Sequence, residues 1–106
     1  MSPALLVLTT LPDPGSAEDL ARGLVEERLA ACVHVGAAGR SVYRWQGAVQ
    51  SEAEVPLWIK TTAAAWPALR DRLHERHPYE LPEILAVDIR DGLPAYLAWL
   101  DGETQP

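Results

Sequence analysis

Cys32 is the only cysteine, so the chain has no intrachain disulfide. Apolar runs are short. None approaches the ~20 residues that a membrane-spanning helix needs. Leu5-Leu6-Val7-Leu8 is too short, and its flank too poor in basic residues, for a secretory signal. The expected compartment is the cytoplasm. Positive charge is also scarce: eight arginines and one lysine, Lys60, face fifteen acids, for a net charge of −6. That balance excludes a general nucleic-acid or membrane-surface binder. Enzyme signatures are lacking: no Gly-rich phosphate loop, HExxH, CxxC or G-x-S-x-G occurs. Internal repeats, linkers and low-complexity segments are missing too. With 106 residues and ordinary apolar content, the expectation is a single domain over residues 1–106.

What the chain does have is a long hairpin. Two runs rich in aromatic and β-branched residues, within Arg40 to Thr62, flank Gln46-Gly47. Gly47 supplies the positive φ of a two-residue turn. That turn sets Tyr43 opposite Gln50 and Trp45 opposite Ala48. Ser41, Tyr43 and Trp45 then share a face with Gln50, Glu52, Glu54, Trp58 and Lys60. Val42 and Arg44 share the other with Val49, Ala53, Val55, Leu57 and Ile59, the expected core face. A second strand from Ala48 to Thr62 would measure roughly 50 Å at ~3.3 Å per residue. A compact domain of this size is only ~33 Å across. Either the strand breaks, with a bulge at Pro56, or the tip projects. A projecting aromatic edge calls for neighbouring subunits to pair with it, so an oligomer is expected.

Around the hairpin the order is β-α-β-β-α-β with a short C-terminal helix. Ala4 to Thr10 reads as a strand near the centre of a sheet, buried on both faces. Ser16 opens a helix with a capping-box spacing to Asp19. Its apolar face is Ala17, Leu20, Ala21, Leu24, Val25 and Leu29, and Glu18 and Arg22 pair on the other side. Cys32 to Val35 is a short strand, and Gly36-Ala37-Ala38-Gly39 bends the chain before the hairpin. Pro67 sits in the first turn of a second helix with Trp66, Leu69 and Leu73 inward. Pro78 ends it at His77. Glu83 to Arg90 is another strand, and Pro94 to Asp101 the last helix. The pattern predicts an α+β, ferredoxin-like βαββαβ sandwich with an extended β-hairpin.

Residues with chemical potential are few. Cys32 and His34 share a strand face at ligand-like spacing, but two ligands do not make a metal site. A cysteine at a helix-to-strand junction also serves as a small buried hydrophobe. His77-Pro78-Tyr79-Glu80-Leu81-Pro82-Glu83 is stiffened by two prolines. His77 there is either a favourable helix-end cation or a ligand. His74 and His77 stand at i, i+3. Lys60 shares a face with Glu52 and Glu54, which predicts an ion-pair or ligand role and no nucleophilic one.

Leu29-Ala30-Ala31-Cys32-Val33, Ser41-Val42-Tyr43-Arg44-Trp45-Gln46-Gly47, Ile59-Lys60-Thr61-Thr62, the His77–Glu83 stretch and Tyr96-Leu97-Ala98-Trp99 occur in this order. Together they resemble CutA, the divalent-cation tolerance family, from about Val7 to Leu100. The resemblance implies a ferredoxin-like fold, a tight homotrimer and an architecture related to PII signalling proteins. It implies copper tolerance and divalent-metal binding. It places Tyr43, Trp45, Lys60, Tyr79, Glu83 and Trp99 along a cleft between subunits, open to a small-molecule ligand. The residues form no clear nucleophile–base–orienter set, so no catalytic residues and no organic cofactor are expected. An enzyme using Lys60 or His77 in the inter-subunit cleft is the least favoured alternative, after a PII-like signalling or structural partner-binding trimer. Some members carry a cysteine where Thr9 stands and a second histidine where Arg76 stands, both tied to copper. Here His77 remains, with Cys32 as the lesser candidate. The expected metal site is weak and exposed, copper(II) being held most strongly.

Overall fold

The computed structural model describes residues 1–105. Eight elements follow one another: β1 (Ala4–Leu11), α1 (Pro14–Glu26), β2 (Cys32–Val35), β3 (Gly39–Trp45), β4 (Ala48–Thr62), α2 (Trp66–Arg76), β5 (Leu85–Asp88) and α3 (Pro94–Glu103). All strand pairings are antiparallel, in the order β2-β4-β1-β5, with β3 alongside the first half of β4. The α+β sandwich expected from the element order is what forms.

The hairpin register is the expected one. Trp45 pairs with Ala48, Tyr43 with Gln50 and Gly39 with Glu54. Gln46 and Gly47 both have positive φ, 50° and 83°, as a type I′ turn demands. β4 runs unbroken for 15 residues, and the molecule measures 44 × 25 × 24 Å. The tip therefore projects beyond the body.

Pro56 carries no bulge, contrary to expectation. β1 pairs straight through it, with Leu57, Pro56 and Val55 opposite Thr9, Thr10 and Leu11. In an antiparallel strand a residue's N–H and C=O face the same neighbour. The Pro56 carbonyl accepts the Gly36 N–H at 2.9 Å, so its nitrogen points to that side as well. β2 has already ended there, at Val35, so the missing donor costs no ladder bond on the β1 side. The irregularity lies one residue away, across from Val55. The register shifts by one residue between β2 and β3, leaving Ala37 and Ala38 together opposite Val55. Gly36 is needed for this approach, because a Cβ there would lie 2.8 Å from the Pro56 ring.

α1 starts earlier than Ser16. Asp13 is its N-cap, its carboxylate accepting the Ser16 N–H at 2.8 Å, and Pro14 follows in the first turn. An Asp-Pro pair serves both positions at once. The Glu18–Arg22 pair forms at 3.4 Å, fully on the surface.

α1 and α2 cover one face of the sheet. Val7, Leu11, Val55, Leu57 and Ile59 meet Ala17, Leu20, Leu24, Leu69 and Leu73 there. Only this half of the expected core face is buried. Val42 and Val49, on the same face of the projecting tip, are 70% and 65% exposed. Arg72 and Arg76 both bind Glu27, tying α2 to the end of α1.

The opposite face has no helical cover along its length. Its paired residues form two rows, His34-Trp58-Leu8-Leu85 and Cys32-Lys60-Leu6-Val87. Trp58, Leu85 and Val87 are half exposed. Thus β1 is central but fully buried only on its helix side, its other side chains being half-buried. α3 lies near the end of this sheet, with Leu100 buried and Thr104 bonded to Thr62.

Candidate functional site

A concave region lies where the hairpin leaves the body. It is a cleft of about 810 Å³ between β3, β4 and the loop joining α2 to β5. The even-numbered residues of β4 and β1 point to the open face, so the cleft continues that face toward the tip.

β5 pairs only with Leu5 to Leu8 of β1. The loop from His77 occupies the edge that β5 leaves free beside Thr9 and Thr10. His77 is the buried pin of this loop. Its Nδ1 accepts the Tyr79 N–H at 3.2 Å. The proton therefore sits on Nε2, which donates to the Thr10 carbonyl at 2.8 Å and lies 3.2 Å from the Thr9 hydroxyl. Burial holds the imidazole below its usual pKa, against the opposing pull of the Thr10 carbonyl and the Glu54 charge.

Two residues on, Tyr79 reaches the open face and closes on the hairpin. Its hydroxyl donates to Glu54 at 2.7 Å, and the Thr10 hydroxyl donates to the same carboxylate oxygen at 3.0 Å. Glu54 is 9% exposed. Burial alone would raise its pKa. Hydrogen bonds from Ser41, Tyr79 and Thr10, with the nearby His77, outweigh this and hold the carboxyl below its usual range. Burial and the Glu54 carboxylate push the Tyr79 hydroxyl well above the ordinary tyrosine value. The pair is thus a stable carboxylate and a phenol that keeps its proton.

Of the residues proposed from the sequence, Tyr43, Trp45, Tyr79 and Glu83 line this cleft together. Lys60 and Trp99 do not. Lys60 lies 3.4 Å from the Tyr96 hydroxyl and 5.5 Å from the centre of that ring, which stacks obliquely on Trp99 at 5.4 Å. The expected pairing of Lys60 with Glu52 or Glu54 is not formed within the chain, because Lys60 stands six residues along the straight strand β4 from Glu54 and eight from Glu52, roughly 20 Å or more at strand rise.

The metal candidates do not converge either. Both ring nitrogens of His77 are engaged within the chain. Arg76, where some members place a histidine, turns to Glu27. Cys32 and His34 stand on the open face, His34 with its ring 6.3 Å from that of Trp58. Among the described residues no three of His, Cys, Asp and Glu come together to hold a metal ion.

Sequence reasoning missed Thr10 and Tyr96. Thr10 had one available signal: two hydroxyls, Thr9 and Thr10, end an otherwise apolar strand. Tyr96 figures in the sequence only within the Tyr96-Leu97-Ala98-Trp99 stretch, and nothing local marks it as a partner of Lys60.

Comparison with known proteins places this architecture. The model of the CutA1 divalent ion tolerance protein family matches residues 5–103. The divalent-cation tolerance protein CutA of Thermus thermophilus is 46% identical over 99 residues, which is 93% of this chain and 96% of that protein. The crystal structure of CutA from Xylella fastidiosa superposes with a TM-score of 0.94 at 46% identity, covering 98% of this chain and 100% of that one. A chloroplastic CutA of Arabidopsis thaliana is 38% identical over 97% of this chain and 57% of its own length. This chain belongs to the CutA1 divalent ion tolerance family.

Proposed function

We propose that the protein acts as a homotrimeric binding protein, not an enzyme, with its ligand sites in clefts beside the interfaces. The open sheet face carries this reading. Leu6, Leu8, Trp58, Leu85 and Val87 are neighbours on this face in the isolated chain, and Lys60 beside them carries Tyr96. Soluble proteins rarely leave so much apolar surface uncovered. The projecting hairpin adds an unpaired edge at Gly39–Trp45. These features support several copies, and the family resemblance supports three. In a trimer, the cleft at the end of this face would border a neighbouring copy, and Lys60 and Trp99 of one copy would approach the cleft of another.

Binding suits the chemistry better than catalysis does. Tyr79 keeps its proton, Glu54 already accepts from Tyr79 and Thr10, and His77 has no free nitrogen to serve as base. The related PII architecture makes a signalling or partner-binding trimer the second reading, supported by the same exposed edge. The compartment in this reading is the cytoplasm, where a free thiol such as half-buried Cys32 stays reduced.

Divalent metal enters as a weakly held ion. His77 would have to surrender the Tyr79 N–H or the Thr10 carbonyl to coordinate copper(II), so one chain offers a poor donor set. Native mass spectrometry at micromolar concentration tests the assembly. A species of three 11.6 kDa chains is expected. A dominant single chain under the same conditions would refute the reading.

A further inference from the structure

The chain contains no asparagine, and two of its aspartates precede a glycine: Asp91-Gly92 and Asp101-Gly102. At such a pair the backbone can rearrange on itself. The glycine nitrogen attacks the carboxyl carbon of the aspartate side chain. Glycine, with no Cβ, neither blocks that approach nor restricts the dihedrals it needs. The fold places the two pairs in opposite circumstances.

Asp101-Gly102 lies inside α3, Pro94–Glu103. Helical geometry directs the Gly102 N–H to the carbonyl four residues back. The Asp101 carboxylate is held as well. Its Oδ1 accepts the Ser2 N–H at 3.1 Å, and its Oδ2 accepts the Gln105 side-chain amide at 3.3 Å. Nitrogen and carboxyl carbon are kept apart.

Asp91-Gly92 lies in the irregular connection between β5 and α3, and both residues are exposed. No helix or strand ladder fixes their dihedrals. The Gly92 N–H donates to Asp91 Oδ1 at 2.8 Å, which sets the nitrogen beside the carboxyl carbon. Reacting groups already held together lower the entropic barrier to ring closure. The Ile89 N–H donates to the Ala4 carbonyl at 3.1 Å, so this connection sits where β1 begins. Ala4 pairs with Thr62, at the end of β4 away from the hairpin tip and the cleft.

We propose that Asp91-Gly92 is a site of spontaneous backbone isomerisation, and that its isoaspartyl product is a substrate for a carboxyl methyltransferase. First the Gly92 nitrogen bonds to Asp91 Cγ. The carboxyl OH leaves with the Gly92 N–H proton as water, and a succinimide remains. Water then opens the ring. Addition at Cγ breaks the new bond and restores aspartate. Addition at the backbone carbonyl breaks the original peptide bond, so the chain continues through Cγ and a free α-carboxylate is left. Neither step is a redox step. The methyltransferase moves a methyl group from the sulfonium of S-adenosylmethionine to an oxygen of that α-carboxylate.

The test ages the native assembled protein for weeks at physiological temperature. The folded protein is then treated with a purified isoaspartyl methyltransferase and labelled S-adenosylmethionine, and fragmentation mass spectrometry locates the isoaspartate. Isoaspartate at residue 91 should exceed that at residue 101 at least tenfold. Gly92→Ala should cut methyl incorporation at least tenfold. A Cβ there would lie 3.4 Å from Leu97, an ordinary contact, so this variant keeps the fold. Gly102→Ala should leave incorporation unchanged. Equal isoaspartate at the two positions, or incorporation that survives Gly92→Ala, would overturn the proposal. Isoaspartate at residue 91 that is methylated only after unfolding would refute the substrate assignment, and none at residue 91 would refute the site itself.

Discussion

The two faces of the sheet are cut from the same strands, yet they meet different surroundings. On β4, Leu57 and Ile59 are fully buried under α1 and α2, while Trp58 between them is 53% exposed. On β1, Val7 is fully buried, and its neighbours Leu6 and Leu8 are only half-buried. A half-solvated antiparallel sheet normally alternates apolar with polar residues. Here the open face stays apolar, with Leu6, Leu8, Trp58, Leu85 and Val87. The residue pattern is that of a sheet buried on both sides. One cover comes from this chain's helices, and in the proposed trimer the neighbouring copies would supply the other.

The comparison can be broken from the helix side first. Ile59→Ala empties a fully packed position and should cost about 2–5 kcal/mol of folding stability, read by denaturant melting. Trp58→Ala, one residue away, should leave the folding of each chain nearly intact and act on assembly. Equal losses of chain stability at the two sites would erase the difference between the faces.

The tip sharpens the comparison. Tyr43→Ala with Trp45→Ala should weaken assembly by several kcal/mol if these rings anchor a neighbour, since buried aromatics dominate interface energies. Dilution followed by light scattering would show it. Unchanged assembly and melting would mark the tip as free.

Smaller effects should come from the cleft wall. Tyr79→Phe removes one donor from a buried carboxylate and should cost about 1–3 kcal/mol. It also loosens the hold of the loop on the hairpin, visible as faster amide exchange around Tyr79.

The pH profile has a definite sign. His77 titrates below its reference value of 6.5 in the folded chain, so the unfolded chain takes up the proton first and stability falls as pH drops below about 6.5. Glu54 titrates below its reference of 4.5, so its contribution is present above that value and is lost as pH falls through its lowered folded value. Melting between pH 7.5 and 5.5 should decline in the native chain and flatten in His77→Gln. An unchanged slope in that variant would place the titrating group elsewhere.

Much of the fold was legible because short-range rules determine it. Gln46-Gly47 gave the hairpin register residue by residue, and the strand's length gave its projection. Pro56 misled because its strand pairs on two sides. The fate of its nitrogen depends on where β2 ends, which is a tertiary fact. The start of α1 was misjudged at Ser16 although Asp13-Pro14 is the stronger local signal. The site was legible in part. Tyr43, Trp45, Tyr79 and Glu83 line one cleft within the single chain. Lys60 shares their strand face but lies six residues along β4 from Glu54, where Tyr96 of a distant helix is its neighbour. Face parity reports which side a residue is on and says nothing of how far along it stands.

Sedimentation of the native protein beside Trp58→Asp tests the external cover most directly. At micromolar concentration the native chain should sediment as a trimer. The variant, with a carboxylate set into the open face, should sediment as a monomer with native circular dichroism. A native chain that sediments as a folded monomer, or a Trp58→Asp variant that assembles unchanged, would contradict the account.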